Sequence, residues 1–210
     1  MVSNYEITKR RVQAEFPAHD IDACVRKFSL VSDARFLYLT FLGRAYRISK
    51  ADGCVQWSED GFITCSEAGF NETLSLFDLL LDSAPDCAPA GTFCRTNSLP
   101  GLTRTASAPA DEDFFSAEAT QIEKDPPRFH KACQALGGRP EGIGDISYRV
   151  PIFQNLCALV QFWFSDEDFG PQLNVLWDSH MLQFVRYETV WYIHGHLLSR
   201  LREEMERRSA

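Results

Sequence analysis

The sequence predicts an α+β fold: an antiparallel β-meander packed against several helices and closed by a C-terminal helix. Three observations predict it. Runs rich in aromatic and branched residues, such as Ala34–Phe41 and Leu156–Phe164, are followed by turn signals, the signature of hairpin strands. A Leu-rich segment, Glu72–Asp82, repeats its apolar residues at helical spacing. The last stretch does the same with Val190, Ile193, Leu197, Leu198, Leu201 and Met205, and Arg200, Arg202, Glu203 and Glu204 occupy its outer face.

Taken in order, Tyr5–Phe16 carries Ile7, Val12 and Phe16 with charges between them, and Pro17 ends this first helix. Asp20 can cap a second helix holding Ile21, Cys24, Val25 and Phe28. Residues 1–30 thus read as a helical N-terminal extension, a lid or buttress. Ala34–Phe41 and Arg44–Ser49 form strands joined at Leu42-Gly43. Asp52-Gly53 is a hairpin turn, because both turn positions must tolerate positive φ. Cys54–Trp57 and Phe62–Cys65 extend the meander.

Asn71 is placed to cap the helix 72–82, where Leu74, Phe77, Leu80 and Leu81 share a face and Leu76 and Leu79 widen it. The prolines of 83–89 stop it. Gly91–Gly101 is a short strand entering a turn. Thr103–Ala110, small and polar, is expected to be a mobile loop, followed by an acidic stretch, Asp111–Glu118, with Phe114 and Phe115. A helix from Pro127 through Phe129, Cys133 and Leu136 closes at Gly137-Gly138. Two apolar strands, Leu156–Phe164 and Leu173–Trp177, flank an acidic loop. No internal repeat or long linker divides the chain, so one domain over 1–210 is expected.

Composition bounds the function. The chain is long enough to bury a real core, and 16 Phe among 210 residues favour aromatic packing. A net charge of -8 argues against general nucleic-acid binding, which needs a basic face. No run of about 18 apolar residues is present, so no membrane span is expected. The N-terminus lacks an apolar signal core and points to the cytoplasm. The seven cysteines contain no Cys-x-x-Cys pair and fit neither zinc nor iron–sulfur spacing, which suits free thiols in a reducing compartment.

Four groups of residues could carry chemistry. The acidic loop offers Asp166, Glu167 and Asp168, oxygen ligands suited to a hard cation; solvated charges at a turn are the plainer reading. The embedded Phe169 and Pro171 suggest a tip folded back on the sheet, burying a carboxylate. Asp178 and His180, two apart, could share one side of an extended segment as an acid–base pair or as metal ligands. A third group would have to come from Asp145, Glu188 or the loop. His194 and His196 lie about 200° apart on a helix, so one is expected in the core and one at the surface; Gly195 between them marks close packing. The glycines at 137–144 match neither a dinucleotide fingerprint nor a P-loop.

Several segments together resemble one family. They are Ala135-Leu-Gly-Gly138, Gly144-Asp145, Phe162-Trp163-Phe164, Asp166-Glu167-Asp168-Phe169, Asp178 and Glu188, supported by Phe41-Leu-Gly43 with Tyr46, Gly91-Thr-Phe93 with Arg95, and Leu99-Pro-Gly101. The set resembles the DUF3786 family, bacterial and archaeal proteins of unknown function, over about residues 35–201. Longer members look like fusions to a cysteine-rich iron–sulfur domain of the corrinoid-protein type. The resemblance therefore implies a link to corrinoid, iron–sulfur or anaerobic one-carbon redox metabolism and a partner of that kind. It offers no catalytic residues to carry over, and this chain lacks the cluster-binding cysteines.

Three functional readings result. The favoured one is a binding or accessory module in which Trp163, Phe169 and Trp177 wall a pocket for a small molecule or cofactor of unspecified identity. The second is an enzyme using Asp178, His180 and Glu188 for acid–base or metal-assisted chemistry. The third is a protein-interaction module using an exposed aromatic patch. The first two expect a β-ribbon tip and the segment after it to bring Asp166–Asp168, Asp178 and His180 to one side.

Overall fold

The computed structural model describes residues 3–102 and 115–207. The loop expected at 103–110 and Phe114 lie outside the described residues. The chain is α+β: ten described strands, every described pairing antiparallel, and seven helices, the last of them long. By contact it divides into two compact units, Met1–Cys87 with Gln183–His196, and Ala88–Leu182 with Leu197–Ala210.

In the first unit, α1 (Asn4–Glu15) starts where the Ser3 hydroxyl accepts the Glu6 amide, and a 3-10 turn at Phe16–Ala18 ends it. Asp20 caps α2 (Ile21–Phe28) by accepting the Ala23 amide. The strands β1 (Val31–Ser32), β2 (Phe36–Phe41), β3 (Arg44–Ser49), β4 (Val55–Ser58) and β5 (Ser66–Glu67) pair in sequence order. Leu42 and Gly43 both take positive φ, 46° and 74°, which suits a tight hairpin turn between twisted strands. Gly53 stands at φ 68°, and a Cβ there would lie 2.1 Å from the Gln13 carbonyl oxygen, so only glycine lets this hairpin meet α1.

Two expectations for this unit are corrected. Phe62–Cys65 is a turn, not a strand: Phe62 is left-handed at φ 69°, and Asp60 accepts the amide and hydroxyl of Thr64. The helix α3 (Phe70–Phe77) begins two residues earlier than a cap at Asn71 allows. Gly69 is its cap, and the Glu72 carboxylate accepts the Gly69 amide at 2.6 Å. Beyond Phe77 the chain continues as a π-helical turn, Asp78–Asp82, a wider turn that occurs mostly as a single insertion in α-helices and often at functional sites. Phe77 stacks on Phe16 at 4.8 Å, with Leu76 and Leu79 fully buried beside them.

The second unit holds β6 (Phe93–Cys94), α4 (Ser116–Lys124), α5 (Pro126–Ala135), β7 (Arg139–Pro140), β8 (Ile146–Phe153), β9 (Leu156–Trp163) and β10 (Gln172–Asp178). Its strands run β7-β8-β9-β10-β6. The glycines close α5 as expected: Gly137 is left-handed at φ 79°, and Gly138 donates to the Cys133 carbonyl. Strand β8 has no counterpart in the sequence reading. It contains Pro151, which argues against a strand interior, and the register shifts between Pro151 and Phe153 to accommodate it.

A four-residue helix, α6 (Met181–Phe184), precedes α7 (Tyr187–Glu206). Val190, Ile193, Leu197 and Leu201 are buried along α7 as their spacing predicts. His194 and His196 are both buried, against the expectation of one at the surface, because this turn is enclosed around more than half its girth. Tyr46 donates to Glu72 at 2.5 Å and lies 3.1 Å from His196 Nε2, while Phe41 stacks on the His196 ring.

Candidate functional site

The predicted site residues of the second unit do not converge. Asp178 is 1% exposed, and its carboxylate is filled by backbone donors. The amides of Ala90, Gly91 and His180 donate to it at 2.9, 2.8 and 2.9 Å. It ties the end of β10 to residues 90–91. His180 is exposed, and its Nδ1 bonds the Ala88 carbonyl at 2.9 Å. The acidic loop sits at the start of β10 and Asp178 at its end. Asp178 is the last of the seven residues of this strand, roughly 20 Å from its start, so the expected single face does not form.

The loop carboxylates stay in solvent. Asp166 accepts the amides of Asp168 and Phe169 and so stabilises its own turn, and Glu167 and Asp168 are exposed. Phe169 is 65% exposed and does not fold back. Asp145 accepts the Phe164 amide. Among the described residues no group of three or more His, Cys, Asp or Glu is placed to hold a metal. The aromatic trio is dispersed too. Trp177 is fully buried and donates its indole N–H to Thr96, while Trp163 is 41% exposed and packs its ring against Gly144.

Glu188, the remaining predicted residue, leads to a different place. It lies in the first turn of α7, within the first unit, and lines a cleft of about 560 Å³. Three helical faces build this cleft. From α1 come Thr8, Arg11, Val12 and Glu15, spaced so that all four share one side. From α3 and its π turn come Leu74, Phe77, Asp78, Leu81 and Asp82, on the face that the Leu spacing marks as apolar. Arg186, Glu188, Thr189 and Tyr192 complete it from the start of α7, with His19 at one side.

Asp78 is the unusual member. It is 8% exposed, and the Thr189 hydroxyl donates to it. Burial pushes its pKa above the ordinary carboxylate range, and the neighbouring Asp82 carboxyl pushes the same way. The Thr189 hydrogen bond and the Arg186 charge pull in the opposite direction without reversing the shift. Arg186 pairs with Asp82, and the charges of Asp78, Asp82 and Glu188 all hold its guanidinium in the protonated form. The pair Asp78 and Asp82 was legible in part: two carboxylates four residues apart, in register with Leu74 and Leu81, are a departure from an apolar face. Arg11, Glu15 and His19 had no such signal.

Fold and cleft together define an antiparallel α+β protein with a helix-walled polar cleft built around a buried carboxyl. The chain belongs to the family described as a domain of unknown function, DUF3786, whose model it matches over residues 20–200. The α3 and α7 walls of the cleft fall inside the matched segment, and the α1 wall falls outside it. No curated protein and no solved structure matches the chain. No helix among the described residues is long and apolar enough to cross a membrane.

Proposed function

We propose that the chain is a binding module for a small molecule, with the cleft of the first unit as its site. A volume of about 560 Å³ is that of a small-molecule pocket, and such sites combine apolar walls with a few convergent polar groups. The observation that carries the reading is Asp78, a carboxyl buried at the cleft wall with its pKa raised. Holding an acid in such a place costs stability, and groups of this kind concentrate at functional sites. The aromatic residues expected to wall the site are replaced in this reading by Val12, Leu74, Phe77, Leu81 and Tyr192.

Amide chemical shifts recorded against a panel of small polar metabolites test this. Binding should move signals from α1, the π turn and the start of α7, and Leu81→Trp, which fills the cleft, should abolish the movement. A panel that shifts nothing, or shifts that survive Leu81→Trp in a folded protein, would sink it.

A second reading, protein interaction, is favoured by the exposed Trp163, Phe164 and Phe169 of the second unit. The family resemblance makes a corrinoid or iron–sulfur protein the partner to try, and replacing Trp163 and Phe169 with Ser should then weaken its capture.

A further inference from the structure

Resting on the cleft as the binding site, we propose that its ligand is a small organic cation, a protonated amine carried on an apolar body. The charges of Asp78, Asp82 and Glu188 all fall on the single guanidinium of Arg186. The α1 wall adds Arg11 and Glu15, and His19 lines the cleft beside them. Two guanidinium groups and one imidazole thus share the cleft with four carboxyl groups, and the carboxyl groups are in excess. Burial and the neighbouring Asp82 carboxyl both oppose the ionisation of Asp78. An ammonium group beside Asp78 and Asp82 would supply the missing counter-charge and donate charge-assisted hydrogen bonds to both.

Competing ligand classes fit less well. An anion would meet the carboxyl excess in a partly desolvated site, where like charges repel strongly. A bare divalent ion needs several convergent ligands, and among the described residues no group of three is placed to hold one. Leu74, Phe77 and Leu81 offer an apolar wall for the body of the ligand, and Tyr192 adds an aromatic ring to the lining.

The test is a titration of the full chain at pH 7, followed by amide shifts, with three probes of one shape: benzylamine, benzyl alcohol and benzoate. Benzylamine should shift the cleft signals at least about tenfold more tightly than the other two, the factor expected from one charge-assisted hydrogen bond. Asp82→Asn and, separately, Glu188→Gln should each weaken benzylamine by about that factor while leaving the amide spectrum folded. Equal or tighter binding of the alcohol or the benzoate overturns the cation assignment and leaves the cleft standing as a site for another class. Benzylamine binding that both variants leave unchanged overturns it as well. So does the absence of any cleft shift with benzylamine, in which case the metabolite panel and Leu81→Trp decide separately whether the cleft binds anything.

Discussion

Asp78 and Asp178 are both buried carboxyls, and their donors separate them. Asp178 receives three backbone N–H bonds of 2.8 to 2.9 Å, so its burial is structural. Asp178→Ala should cost about 3 kcal/mol, because three amides lose their acceptor at once, and urea unfolding measures it. Asp78 has one hydroxyl donor and an acidic neighbour. Its folded pKa is raised, so the stability it contributes is complete below the unfolded value near 3.8 and is lost as pH rises through the folded pKa. Asp78→Asn cannot ionise, so at pH 7 it should unfold at a higher temperature than the parent, with the gap narrowing as pH falls towards 4. A gap that widens on acidification would refute the assignment. His194 has the opposite sign. Burial lowers its pKa from 6.5 to about 4, so its contribution is present above pH 6.5 and lost as pH falls through 4, on the order of 3 kcal/mol in total. His194→Gln should flatten that part of the stability profile.

At the scale of elements, local chemistry was readable wherever a turn or period stood alone. The Asp20 cap, the Leu42-Gly43 turn, the glycines closing α5 and the stripe along α7 all follow from residues within a few positions of one another. Readings failed where side-chain capture or strand pairing overrode composition. Phe62–Cys65 has strand composition, but Asp60 captures Thr64 and turns the chain. Pro151 disguised β8, whose partner β9 absorbs the irregularity as a register shift. Gly195 shows the same limit. A Cβ there would meet only the Asn71 amide nitrogen, at 3.3 Å, which does not bear out close packing against the sheet. Gly195→Ala should therefore stabilise the protein by about 0.5–1 kcal/mol through helix propensity, once the Asn71 side chain turns aside. Gly53→Ala should do the reverse, losing more than about 1 kcal/mol, since it combines a positive φ with a backbone collision. Thermal melts of the two variants on either side of the parent check both signs.

Across the whole molecule, none of the seven cysteines is bonded to another, and their environments differ. Cys65 is exposed, whereas Cys24 and Cys133 are buried and their thiols are pushed up by burial. A thiol reagent should label Cys65 first, and Cys133 should react only with unfolding, because the thiolate is the reactive form. Labelling of Cys133 at the rate of Cys65 in the native protein would contradict its burial.

The sequence by itself determined the α+β class and most helices and hairpins, because periodicity, caps and turn residues act over short spans, and its set of short motifs carried the family resemblance. It could not place the site. The cleft gathers residues 8–19, 74–82 and 186–192, segments with no shared spacing, and only folding sets which of two buried aspartates meets three backbone donors and which sits beside a second carboxyl. Glu188 was the single predicted residue that reached the cleft, and it did so because α7 begins there. Burial and charge balance are properties of assembled neighbours, and those were decided by the tertiary structure.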